Sequence, residues 1–233
     1  MDYLVLNYSS KKRLEELAAK VKELGYVMAG SQSMPEAVAV FKYQPLAGKV
    51  FILDPGHGGR DPGAVDGLED DDIYTQEEDL NLEYALELGE RLIELGAFVI
   101  YTRTDDTFVG ITERAVLANA EPYVTAFISI HFNASATNKN ARGLEVLAYS
   151  EKSGGYPLAT AIRDAVKGAG IPIFGDGLSI RPDLGVLRLT KMSAVLIETG
   201  FITNPVEEAQ LHSAVHRRAI INSVVDGIVS WNK

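Results

Sequence analysis

The chain has 233 residues, of which 46% are hydrophobic, and its formal net charge is −10 at pH 7. This size allows one large domain with a substantial core and a small appendage, while the acidic charge argues against nucleic acid as the main partner. The absence of cysteine excludes disulfides and thiolate chemistry, so a metal site must use His, Asp or Glu.

The first 45 residues predict a small β-α-β segment, separate from a domain over residues 46–233. Its apolar patterns predict strands at 3–7 and 26–28, an amphipathic helix over 11–24, and a weaker helix over 34–41. Such a segment is too short for a core of its own. It weakly resembles half of the repeat in wall-binding modules of the sporulation-related type.

Strands and helices alternate from residue 49 onward, which favours an α/β sheet covered on both faces. The predicted strands span residues 50–54, 98–103, 124–130, 143–149 and 194–197. The predicted helices span residues 75–95, 111–120, about 155–168 and about 214–231. Residues 171–183 are predicted to be an irregular loop, and 185–189 a short strand or the end of that loop.

Three predicted strands run into a potential ligand or acid/base residue, namely His57, His131 and Glu198. A lone histidine after a strand is usually a simple turn residue, but the carboxyl ends of parallel strands form a shared crevice. Two imidazoles and a carboxylate would supply the protein ligands of an open zinc site. A further carboxylate would then have to carry protons, and spacing alone leaves these roles open.

Four segments carry the most informative motifs: LDPGHGG at 53–59, EEDLN at 77–81, SIHFNA at 129–134 and VLIETGFITN at 195–204. Together they resemble the zinc-dependent N-acetylmuramoyl-L-alanine amidases of the amidase-3 type. The resemblance implies an α/β fold with a mixed, mainly parallel six-stranded sheet flanked by helices, and one catalytic zinc per chain. It further implies that the zinc ligands are His57, Glu77 and His131, and that Glu198 is the catalytic carboxylate.

The position of the glutamate ligand depends on which motif anchors it. In this family the ligand usually follows a Gly-Leu pair closely, and here Gly67-Leu68 precedes an acidic insert. That anchor selects Glu69, whereas the helix start selects Glu77. We favour Glu77, because the first turn of a helix holds a ligand more rigidly than a loop does.

The implied reaction is hydrolysis of the amide between the lactyl group of N-acetylmuramic acid and the L-alanine of the peptidoglycan stem. Zinc would activate a water, and Glu198 would pass its proton to the leaving nitrogen. Asn133 and Arg188 lie in stretches that resemble the substrate side, where the arginine could pair with a stem carboxylate. The alternatives are a zinc peptidase with another wall-peptide specificity and a catalytically silent wall-binding or regulatory protein.

The expected partner is peptidoglycan, and the chain is expected to be a monomer. No apolar run reaches the 18 residues of a membrane span, and the first residues lack the pattern of a secretory signal. We therefore expect an enzyme that reaches the cell wall through lysis, as an autolysin or phage endolysin does, or a chain without its leader.

Overall fold

The computed structural model describes residues 3–7, 26–30, 37–42, 44–66 and 73–233. The chain divides into two compact units, Met1–Pro45 and Leu46–Lys233. Among the described residues, no helix combines the length and apolar character needed to cross a membrane.

The smaller unit contains a three-stranded antiparallel sheet in the order β1-β3-β2. Its strands are β1 (Tyr3–Asn7), β2 (Tyr26–Gly30) and β3 (Ala37–Lys42). The first two confirm predicted strands, but the helix predicted over 34–41 is wrong, because β3 pairs with β1 over residues 37–41 and with β2 over residues 38–42. Alternating valines suit a sheet, and tertiary pairing overrides a weak helical pattern. The helix predicted over 11–24 lies outside the described residues.

The larger unit is built on a six-stranded sheet in the order β10-β9-β11-β8-β4-β7, with a two-stranded ribbon of β5 and β6 beside it. The strands are β4 (Val50–Pro55), β5 (Val65–Asp66), β6 (Thr75–Gln76), β7 (Phe98–Tyr101), β8 (Ala126–Asn133), β9 (Leu144–Ala148), β10 (Ile173–Ile180) and β11 (Ser193–Phe201). Every pair in the large sheet is parallel except β9 with β11. The predicted mixed, mainly parallel sheet is confirmed.

Helices cover both faces of this sheet. They are α1 (Glu77–Glu94), α2 (Ile111–Ala120), α3 (Gly155–Gly168), α4 (Gly185–Leu189), α5 (Pro205–Leu211) and α6 (Ala214–Trp231). Apolar side chains of α1, α3 and α6 form the larger core on one face, and those of α2 and α4 form a smaller core on the other. Alternate residues of each strand supply the two cores.

Two further predictions on the β10 side of the sheet are wrong. Residues 173–180 form edge strand β10 instead of a loop, with Gly175 and Gly177 in the left-handed region and a register shift between Ile173 and Leu178. The glycines favour a loop prediction from sequence, but pairing with β9 makes these residues a strand. Residues 185–189 form helix α4, neither a strand nor a loop end.

The ends of three neighbouring parallel strands meet at one edge of the sheet. The ladder places Pro55 of β4 beside Ile130 of β8, and Glu198 of β11 beside His131 of β8. This edge therefore carries the motifs that the sequence singled out, and the start of α1 brings Glu77 to the same place.

Candidate metal centre

His57, Glu77 and His131 converge on one point at the carboxyl edge of the sheet. The Glu77 carboxylate lies between the imidazoles, with Oε2 3.2 Å from Nε2 of His57 and Oε1 2.8 Å from Nδ1 of His131. One ligand atom from each residue lies within 4.8 Å of the others. Two imidazole nitrogens and a carboxylate oxygen at this spacing could hold a metal ion.

Glu77 is the first residue of α1 and is almost fully buried. Its carboxylate also accepts hydrogen bonds from the backbone N–H groups of Ala64 (2.9 Å) and Phe132 (3.2 Å). Burial would raise the pKa of Glu77, but hydrogen bonds with His131 and His57 outweigh it and hold that pKa far below its ordinary value. The group is therefore ionised, as a metal ligand must be. Glu69, the alternative ligand, lies outside the described residues.

His57 stands on an irregular loop with its backbone in the left-handed region, at φ +59°. Two buried arginines donate hydrogen bonds to backbone carbonyls of that loop and of the strand end before it. Arg103 donates to the carbonyls of Pro55 (3.1 Å) and Gly56 (2.8 Å). Arg114 donates to the carbonyls of Pro55 and His57, both at 2.6 Å. The loop carbonyls thus have fixed partners, and these contacts offset the strained backbone.

Arg103 also joins the two elements that bear the candidate ligands His57 and Glu77. The same Nη2 that donates to Gly56 donates to the carbonyl of Glu78, again at 2.8 Å. One guanidinium therefore fixes the His57 loop relative to the first turn of α1, where Glu77 lies.

Arg114 forms a buried ion pair with Asp54, the last polar residue before the loop. Its Nη1 lies 2.6 Å from Oδ1 of Asp54, and both side chains are at most 4% exposed. The Asp54 carboxylate also accepts hydrogen bonds from Thr102 (2.6 Å) and Ser129 (2.7 Å). Sequence reasoning missed both arginines, although Arg114 shares the buried face of α2 with Ala118, an unusual place for a charge.

His131 lies within strand β8, and its ring packs directly over Gly56. A Cβ atom at Gly56 would stand 2.2 Å from Cε1 of the imidazole, so only glycine fits at this position. The two imidazole rings meet edge to face, with their centroids 4.9 Å apart.

Glu198 lies beside His131 on the neighbouring strand and faces Glu145 of β9 across the antiparallel ladder. Its Oε2 is buried and has no hydrogen-bond partner among the described residues. Burial raises the pKa of Glu198 to about 7; the carboxylates of Glu77 and Glu145 add to this effect, while the histidines oppose it. A half-buried carboxyl group with such a pKa can both accept and donate a proton near neutrality.

Residues 51–230 match the protein family described as N-acetylmuramoyl-L-alanine amidase. The chain belongs to this family. It is 35% identical over 184 residues to the probable cell wall amidase LytH of Staphylococcus aureus, and the match covers 79% of this chain. The same match covers 58% of LytH, so the chain spans little more than half the length of that relative.

Solved amidase structures share the fold. An N-acetylmuramoyl-L-alanine amidase from Clostridium difficile 630 is 31% identical with a TM-score of 0.71, covering 78% of this chain and 96% of that one. The CwlD amidase of Clostridioides difficile, solved in complex with the GerS lipoprotein, is 27% identical with a TM-score of 0.72 and coverages of 78% and 98%. These matches confirm the predicted family and fold class.

A cavity of about 530 Å³ opens beside the two histidines of this amidase domain. It lies between the start of α2 and α4, and much of its wall is apolar: Phe108, Val109, Ile111, Leu184 and Val186. The cavity leaves room for a ligand next to the candidate metal position.

The two predicted substrate residues lie outside the wall of this cavity. Asn133 is half-buried at the end of β8, and its Oδ1 accepts a hydrogen bond of 2.9 Å from the N–H of Ala134. Arg188 is exposed on α4, the helix whose start contributes Gly185 and Val186 to the cavity. The structure thus brings the predicted ligands and Glu198 together and leaves these two residues at the periphery.

Proposed function

We propose that the chain hydrolyses the amide bond between the lactyl group of N-acetylmuramic acid and the L-alanine of the peptidoglycan stem, with one zinc ion. The observation that supports this most directly is the convergence of His57, Glu77 and His131 beside Glu198 in a chain of this family. Neutral imidazoles with one carboxylate are a donor set that suits catalytic zinc and leaves a position for water. When bound, zinc would supply Lewis-acid chemistry: it would polarise the amide carbonyl and activate a water as the nucleophile near neutral pH.

Glu198 is the proton carrier in this proposal. Its carboxylate takes the proton of the attacking water and then gives it to the leaving nitrogen of L-alanine. The buried Oε2 without a hydrogen-bond partner supports this role, because that oxygen is not committed to another group of the described residues. A pKa near 7 lets the same carboxyl group act in both directions.

The substrate occupies the cavity and its rim. The apolar wall between α2 and α4 packs against the substrate next to the histidines, while the rim supplies polar contacts. Arg188 follows the cavity-lining residue Val186 by two positions and pairs with a stem-peptide carboxylate, and Asn133 donates to a substrate carbonyl. The chain acts on the cell wall as a monomer.

Digestion of purified peptidoglycan tests this function. The zinc-loaded protein is expected to release intact stem peptides with a new L-alanine amino terminus, identified by mass spectrometry. Glu198→Gln is expected to lower the rate by about 10²–10⁴-fold with unchanged zinc content. Glu151→Gln, at an exposed turn, serves as the matched control and should retain full activity.

Three results would contradict the proposal in different ways. Cleavage at another peptide bond would reassign the substrate and keep the zinc site. Zinc binding without cleavage would favour a wall-binding or regulatory protein. Full activity of Glu198→Gln would show that another group carries the proton.

A further inference from the structure

Each histidine of the candidate metal centre has one ring nitrogen near Glu77 and a second that faces away from it. The two histidines differ in the hydrogen-bond partner of this second nitrogen. His57 turns Nε2 toward Glu77, and its Nδ1 lies 2.9 Å from Oδ2 of Asp61. His131 turns Nδ1 toward Glu77, and no group of the described residues hydrogen-bonds its Nε2. Among the described residues, a carboxylate contacts the second ring nitrogen of His57, and none contacts that of His131.

The sequence His57-Gly-Gly-Arg-Asp61 places this carboxylate by folding back on itself. The N–H of Gly58 donates to the carbonyl of Asp61 (2.9 Å), and the N–H of Asp61 donates to the carbonyl of Gly58 (3.3 Å). Gly58 and Gly59 lie at φ +120° and +63°, where other residues are strained. The paired glycines thus make the tight turn that brings Asp61 to the histidine four residues earlier.

The Asp61 side chain is itself fixed in this position. Its Oδ1 accepts a hydrogen bond of 3.2 Å from the N–H of Gly63, which leaves Oδ2 for His57. A carboxylate oxygen can only accept a hydrogen bond, so Nδ1 of His57 is the donor in this contact and carries the proton.

We propose that Asp61 is a positioning residue for the metal centre: by accepting the Nδ1–H of His57 it directs the lone pair of Nε2 toward the metal position. This role rests on the proposed zinc site. A ligating histidine that donates its other N–H to a carboxylate is fixed in one tautomer and one ring orientation. His131 differs in that the β8 ladder fixes its backbone, whereas His57 lies on a loop.

The test measures zinc affinity by competition with a chromophoric chelator. Asp61→Ala is expected to weaken zinc binding by about 10–100-fold. Asp61→Asn keeps a neutral acceptor and should fall between the wild type and the alanine variant. Asp226→Ala, at an exposed position on α6, removes the same charge and should leave the affinity unchanged.

A spectroscopic measurement separates positioning from a general loss of structure. Long-range ¹H–¹⁵N spectra of the zinc-loaded wild type should show His57 protonated at Nδ1 only, and Asp61→Ala should broaden or shift this signal while that of His131 stays in place. If the alanine variant does not fold, a zinc affinity of Asp61→Asn equal to that of the wild type would overturn the role.

The outcomes distinguish this role from the function on which it rests. Wild-type protein that binds no zinc would overturn the proposed function, and the role of Asp61 with it. Wild-type protein that binds zinc, with equal affinity in folded Asp61→Ala, would overturn only the role of Asp61.

Discussion

His57 and His131 reach the same carboxylate from two different kinds of backbone. His131 lies inside a strand, where the ladder with β11 fixes its place beside Glu198. His57 lies on a loop, and its own backbone is in the left-handed region. Its position depends on contacts with Arg103, Arg114 and Asp61. Main-chain pairing positions the candidate ligand on the strand, whereas side-chain contacts position the candidate ligand on the loop.

Of the substitutions that test this comparison, the loss of Arg114 should lower the stability of the protein most. Arg114→Ala removes the ion-pair partner of the buried Asp54 carboxylate and one hydrogen-bond donor from each of the carbonyls of Pro55 and His57, although Arg103 still donates to Pro55. We expect a loss of about 3–5 kcal/mol in the free energy of unfolding, measured by urea denaturation, together with weaker zinc binding.

Arg91→Ala is the matched control, because Arg91 forms an exposed ion pair with Glu94. Such pairs contribute about 1 kcal/mol or less. If Arg114→Ala destabilises the protein no more than Arg91→Ala does, the loop does not depend on the buried arginine.

Glu198 tests the strand side of the comparison, because strand register places its carboxylate where Oε2 has no hydrogen-bond partner among the described residues. Burial raises the pKa of Glu198 from 4.5 to about 7, so its ionisation costs the folded state stability. The loss is absent below about pH 4.5 and grows as the pH rises through 7. Glu198→Gln cannot ionise, and above pH 7 the metal-free variant should be more stable than the wild type by about 1–3 kcal/mol.

Urea unfolding in the presence of a chelator at pH 5 and pH 9 measures this difference. We expect nearly equal wild-type and variant stabilities at pH 5 and a clear advantage for the variant at pH 9. A stability difference that does not change with pH would show that burial does not raise the pKa of Glu198.

The glycines of the loop give the smallest expected effect. Gly59 and Gly48 both have left-handed backbones, at φ +63° and +76°. A Cβ atom at Gly59 would stand 2.8 Å from the backbone nitrogen of Phe108, whereas one at Gly48 would meet nothing within 4 Å. Thermal or urea unfolding should show Gly59→Ala to be less stable than Gly48→Ala by about 1–2 kcal/mol. Equal losses of stability in the two variants would mean that the loop rearranges to accommodate the added methyl group.

The same difference explains which parts of the site the sequence could predict. His131 and Glu198 each follow an apolar strand, and parallel strands end at one edge of a sheet, so their proximity followed from the pattern. Glu77 needed a family resemblance, because its distance from Gly67-Leu68 along the chain is unusual. Its placement beside both histidines agrees with the helix anchor.

The supports of the His57 loop were not predictable in this way. Arg114 and Asp54 are 60 residues apart, and no local pattern links them. Asp61 follows the glycines closely, but its carboxylate reaches His57 only because of their left-handed backbone. The strands β3 and β10 were missed for a related reason, since pairing with neighbouring strands, and not local propensity, makes them strands.

Zinc content of the purified protein, measured by mass spectrometry, tests the proposed centre most directly. We expect about one zinc per chain in the wild type and in Glu69→Ala, and its loss in Glu77→Ala and His131→Ala. Zinc retained by Glu77→Ala but lost from Glu69→Ala would move the ligand into the acidic insert. A wild-type chain that takes up no zinc, even after zinc is added back, would contradict the metal centre itself.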